Sequence, residues 1–177
     1  ILNLSAGSWG YRLGELQLNY GFAKFRFSTR LFSQHAHNNY RYRIAKGFAE
    51  RNQVHNELKN QGIFQEVTYT LNNKEWLTGR VWFQYADRQI PPTSTQTTSK
   101  SAQQDKILRT SLQWNYKGEK VHWQIKSAWL DEINDYQDSL IILYAHNRFR
   151  TWLAEGETSF QIGRDVSFNG GIYTEVA

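Results

Sequence analysis

The chain has 177 residues, with no Cys, no Met and two Pro, against seven Trp, ten Tyr and ten Phe. Without Cys, a disulfide scaffold and a thiolate metal site are excluded. No run of eighteen apolar residues occurs, so a membrane-spanning helix is excluded too. The formal charge of +5 comes from cations spread singly along the chain, not gathered in a basic block or stripe, which argues against a nucleic-acid partner.

The mean hydropathy of −0.69 leaves a membrane barrel open, because a barrel strand shows lipid only alternate side chains. The length suits one domain, 1–177. The chain opens at Ile1 with no basic-then-apolar leader, so any signal peptide is expected to have been removed or to lie outside it.

Leu2, Leu4 and Ala6 alternate with Asn3, Ser5 and Gly7 in a first strand expected to end near Trp9. After a turn over residues 10–14, Leu16, Leu18, Tyr20 and Phe22 oppose Glu15, Gln17 and Asn19. A third strand sets Phe25, Phe27 and Leu31 against Arg26, Ser28 and Arg30. Residues 34–60 read as a long polar loop. A fourth strand follows (Ile63, Val67, Tyr69, Leu71), then a turn at Asn72-Asn73-Lys74. The fifth strand has Leu77, Val81, Phe83 and Tyr85 on one face, with Trp76 and Trp82 on the polar side.

A second loop is expected over 88–106, opened by Pro91-Pro92. The hairpin Ile107–Asp131 carries the cleanest signal. Leu108, Thr110, Leu112, Trp114 and Tyr116 share one face in its first arm, as Val121, Trp123, Ile125 and Trp129 do in its second. Each arm is about eleven residues, near the roughly 9–11 that cross a bilayer at a tilt, whereas soluble strands run to about 5–6. A third loop is expected over 132–147, acidic and then apolar. An eighth strand (Trp152, Ala154, Thr158, Phe160), a turn at Gly163-Arg164-Asp165 and a ninth strand (Val166, Phe168, Ile172, Val176) complete the chain.

Connections near 23, 73, 119 and 164 are short, and those at 35–59, 88–106 and 132–147 are long; the first, at 10–14, is short in a long-loop slot. Outer-membrane barrels alternate in this way, with short periplasmic turns and long external loops. The expected fold is all-β, an antiparallel up-and-down transmembrane β-barrel. Nine strands is an odd count, and an open sheet would leave bare edges in lipid, so the chain is expected to be an excerpt of a larger barrel.

The runs Ser8-Trp9-Gly10, Leu16–Gly21 and Gln84–Pro92, followed by Asp105–Arg109, resemble TonB-dependent outer-membrane receptors. Members from Bacteroidota, including vitamin B12 and siderophore receptors, are the most similar in texture, which extends over essentially the whole chain without an invariant signature. The resemblance implies a barrel of about 22 strands around an N-terminal plug, in the bacterial outer membrane. It implies TonB as a periplasmic partner through a region ahead of the plug. It also implies active uptake of a scarce large nutrient, cobalamin or an iron chelate, with a surface lipoprotein as a further partner. No enzymatic activity is expected. The alternatives are a passive porin, a soluble all-β binding module and a barrel enzyme, the last lacking an identifiable nucleophile or acid–base pair at the lumen rim.

Several residue groups are candidates for chemistry. Tyr40-Arg41-Tyr42-Arg43 combines stacking faces with cation donors and is the first candidate for touching substrate. Asp131, Glu132, Asp135 and Asp138 offer oxygens to calcium, the one cofactor candidate, yet without the Gly and late Glu of a calcium loop. His35 and His37 are spaced to share a metal, but spacing identifies no third ligand, and they read as a polar loop tip. Glu155 and Glu157 read as wall residues, since no shaped cleft marks them as a catalytic pair. Arg26, Arg30, Arg80, Arg109 and Lys126 fall on the polar face, which in a barrel is the lumen.

Overall fold

A computed structural model describes residues 1–93, 95–162 and 166–177. The strands are β1 (Leu2–Ala6), β2 (Arg12–Phe22), β3 (Phe25–Ala36), β4 (Arg41–Tyr42), β5 (Arg51–Asn52), β6 (Leu58–Asn72), β7 (Glu75–Ile90), β8 (Ser101–Lys117), β9 (Val121–Asp138), β10 (Leu143–Ile162) and β11 (Val166–Val176). Nine of them form one antiparallel meander, β1-β2-β3-β6-β7-β8-β9-β10-β11, while β4 and β5 pair separately. The sheet is open, since β1 and β11 are its two edges. Among the described residues, no helix is long and apolar enough to cross a membrane, which says nothing about strands.

The expected facing holds strand by strand. Side chains directly opposite in an antiparallel ladder share a face. The rows Leu16↔Leu31↔Ile63↔Phe83↔Leu108 and Tyr20↔Phe27↔Val67↔Gly79↔Leu112 are therefore each one-sided. No second layer covers either face: Ala36 is the one buried hydrophobic residue among those described, and Leu112 is 58% exposed.

Strand ends depart from expectation. The span 132–147 is not a loop: β9 runs to Asp138, β10 starts at Leu143, and only a turn over residues 139–142 joins them. The loop at 88–106 contracts to residues 91–100, because β7 continues to Ile90 and β8 begins at Ser101. Pro91, which has no N–H to give a ladder, stands just after the end of β7. The first strand stops at Ala6, and Trp9 lies in a tight turn with φ 58°. The long connection over 37–57 is confirmed as the largest, and it carries the β4/β5 hairpin. Gly163-Arg164-Asp165 lies outside the described residues.

The sheet slants. The row through Phe22 and Phe25 passes Tyr69, Leu77, Trp114 and Ile125 to reach Gly156 and Ile172. The β2/β3 turn follows Phe22 at once, whereas β10 continues from Gly156 to Ile162, where its pairing with β11 ends, six residues over a shift of six strands. At ~3.3 Å per residue and ~4.8 Å per strand, that lean of about one residue per strand tilts the strands by about 35°.

Candidate functional site

Three regions are distinguished by chemistry: an apolar belt on one face, a hydrogen-bonded wall on the other, and a rim at the long-connection end. The belt runs over alternate residues of 16–22, 25–31, 63–69, 77–83, 108–116, 121–129, 152–162 and 166–176. None of its described positions is Asp, Glu, Lys or Arg. Two pairs of polar groups meet within the face: Thr29 Oγ1 donates to Gln65 Oε1 at 2.5 Å, and Trp152 Nε1 to Ser127 Oγ at 3.0 Å. On the rim side the same face turns abruptly charged, with Arg12, His35, Lys59, Asp87, Lys106, Asp131, Arg148 and Arg150.

The opposite wall carries the five basic residues expected there. Arg80 Nε donates to Glu66 Oε2 at 2.7 Å and its Nη1 to Gln113 Oε1 at 3.0 Å. Arg109 grips Glu132 Oε1 through Nε (2.8 Å) and Nη2 (2.6 Å), so Glu132 is a wall residue and not part of an acidic loop. Lys126 pairs with Glu155 at 3.1 Å, while Glu157 lies opposite Gln124 and Gly171. Arg26 and Arg30 stand opposite Thr68 and Phe64.

Phe32, Phe64 and Trp82 cluster on this wall around Gly62, where a Cβ would lie 2.6 Å from the Phe32 ring and 2.7 Å from the Phe83 carbonyl. Asn115, 6% exposed, accepts from Gln113 and Gln124 through Oδ1, and its Nδ2 has no partner among the described residues.

The three aspartates do not converge. Asp131 binds Arg148 (2.6 and 2.8 Å) and Asp135 contacts His146 at 2.5 Å, both on the belt face beyond the belt. Asp138 lies on the other face, accepting from Ser101 Oγ at 2.6 Å and from the Leu140 amide at 2.9 Å. Asp131 and Asp135 are four residues apart on one strand, about 13 Å. Each carboxylate thus has its own partner, and the arrangement offers no shared calcium cage.

Tyr40, Arg41, Tyr42 and Arg43 do act as a unit. Arg41 and Tyr42 form β4, the Gln53 amide donates to the Tyr40 carbonyl at 2.7 Å, and Arg43 reaches Glu50 at 3.0 Å. The Tyr40 ring packs against Trp9 at 5.6 Å and Tyr42 at 6.1 Å, giving the rim an aromatic patch beside three cations, Arg41, Arg43 and Arg51.

The structure also supplies the partner that spacing did not identify for His35 and His37. Glu57 returns at the far end of the loop with Oε1 2.8 Å from His35 Nε2, and the ring centroids of His35 and His37 lie 4.7 Å apart. Hydrogen bonds from His35 and Lys59 hold the Glu57 carboxyl below its ordinary range. The loop base is pinned by the His37 and Asn38 amides on the Trp9 carbonyl (both 3.1 Å) and by Asn38 Nδ2 on the Asn56 carbonyl (3.0 Å). Glu57 itself is clasped by Gln89, whose amide donates to the Glu57 carbonyl at 2.9 Å and whose Oε1 accepts from the Glu57 amide at 3.3 Å.

Compared with known proteins, the chain matches no family model, and no curated relative matches it significantly.

Proposed function

We propose that this chain is a wall-and-rim sector of a bacterial outer-membrane β-barrel whose edge strands β1 and β11 continue into further strands. The uncharged belt carries this reading. A Lys or Arg facing lipid at the midplane costs about 2–4 kcal/mol, so a face in hydrocarbon is kept free of charge and a face in water need not be. The height agrees as well: Leu108 to Tyr116 is eight steps, about 27 Å along the strand and about 22 Å after tilt, against a barrel band of ~25 Å. The slant of about 35° falls within the range of barrel strands.

Within that class we favour a TonB-dependent receptor for a scarce large nutrient such as cobalamin or an iron chelate. The support is the residue resemblance together with an elaborated rim that presents Tyr40–Arg43. The polar wall would face a plug, TonB would act from the periplasm, and a surface lipoprotein would meet the rim. On this reading the chain is not an enzyme.

Six of the seven tryptophans divide by face, which provides the test. Trp114, Trp123, Trp129 and Trp152 point from the belt, Trp76 and Trp82 from the wall, and Trp9 lies at the rim. With the intact protein that carries these strands folded into vesicles of brominated lipid, variants whose only tryptophan is a belt residue are expected to be quenched and those keeping only Trp76 or Trp82 spared. A chain that folds and stays monodisperse in detergent-free buffer overturns the membrane reading. The receptor reading is tested by the flanking sequence: a preceding plug-sized domain and a total near 600–700 residues support it, and about 300–400 without a plug favours a porin.

A further inference from the structure

We infer that His35, His37 and Glu57 form a binding site for a divalent transition cation of the Zn(II)/Cu(II) class on the outer flank of the rim. Their ligand atoms all lie within 4.8 Å of one another. Two imidazole nitrogens and one carboxylate oxygen are a donor set that zinc takes with a fourth position left open, and hard cations such as calcium and magnesium prefer oxygens alone. Donors at ~2.1 Å in a tetrahedron stand about 3.4 Å apart, so an ion draws the widest pair in by up to about 1.4 Å and parts His35 Nε2 from Glu57 Oε1, now 2.8 Å away, by about 0.6 Å. His37 is exposed and able to move that far.

The surroundings hold the backbones of these residues in place and leave the His37 side chain free to turn. Gly10 has φ +73°, and a Cβ there would fall 2.4 Å from His37 Cδ2, so the His37 ring nests where only glycine permits it. The Gln89 clasp fixes the Glu57 backbone, and β3 fixes His35. The positive neighbours are Lys59, 3.2 Å from Glu57 Oε1, and Arg12, opposite His35 in the ladder. An arriving cation displaces Lys59, whose side chain is 62% exposed and free to swing into water.

The inference stands on rim side chains alone and goes beyond the transport reading, so either can fail without the other. The full chain, folded in detergent micelles and stripped with chelator, is titrated with zinc chloride by calorimetry and with Cu(II) by electron paramagnetic resonance. We expect one ion per chain with a Kd of about 10 µM or tighter, and Cu(II) coupling to two nitrogens. His37→Ala, at an exposed position, is expected to weaken binding at least tenfold and remove one nitrogen coupling. Glu57→Gln should weaken binding at least tenfold with both couplings retained, and His146→Ala should change nothing. Substoichiometric binding overturns the inference, as does a His37→Ala protein that keeps its strand signature and titrates like the parent.

Discussion

The β8–β9 hairpin holds two surfaces on one backbone. Leu112 and Ser111 are chain neighbours in the same ladder, yet Leu112 joins a belt without a charge while Ser111 joins a wall where Arg80 and Lys126 each hold a carboxylate. The difference lies only in which way the pleat points each side chain. Composition averaged over both faces therefore hides what either face does, and the negative mean hydropathy of the chain is the average of two unlike surfaces.

The sharpest way to break this contrast is a charge placed on each side. Leu112→Lys is expected to destabilise the protein folded in vesicles by about 2–4 kcal/mol, and Ser111→Lys by about 0.5 kcal/mol or less. Urea unfolding of the two variants compares them directly; equal losses would mean that the faces are not in different media. A smaller effect is expected on the wall. Gly62→Ala forces a methyl against the Phe32 ring and the Phe83 carbonyl, with an expected cost of about 1–3 kcal/mol as overpacking. Trp82 emission, read in a variant lacking the other tryptophans, should shift with it, since Trp82 packs on Phe32 and Phe64.

The smallest effect concerns the rim. Glu57 titrates below its ordinary value in the folded protein, so its contribution is fully present above the unfolded carboxylate range and is lost as pH falls through the lowered folded value. Amide exchange over residues 37–57, corrected for intrinsic rates, should rise on acidification through that range. In Glu57→Gln the same acidification should have no effect on it.

How far the sequence could be read follows from what hydrophobic alternation reports. It located the belt and the facing of the nine strands of the meander because most belt positions have a polar neighbour to contrast with. Beyond the belt both faces are polar, the contrast disappears, and strand was read as loop. There Asp131 with Arg148, Asp135 with His146 and Ser101 with Asp138 tie the ladder together with charge and hydrogen bonds, which leave no period-two signal. Glu57 was missed for another reason: twenty residues separate it from His37, and only the folded loop brings them together. The Tyr40–Arg43 run was visible as composition, but its packing on Trp9 depends on a positive-φ turn that no spacing announces.

The lean of the strands has a consequence for any measurement of depth. At one residue of offset per strand, partners in a hydrogen-bonded row lie at different heights, and equal heights run diagonally. Leu18, Val67, Trp114 and Thr158 ride level with one another although no two of them are ladder partners, while Leu18's own row climbs to Trp152. A line drawn across the belt face at constant height therefore takes one side chain from every second strand, so a probe of fixed depth reports on residues drawn from different hydrogen-bonded rows.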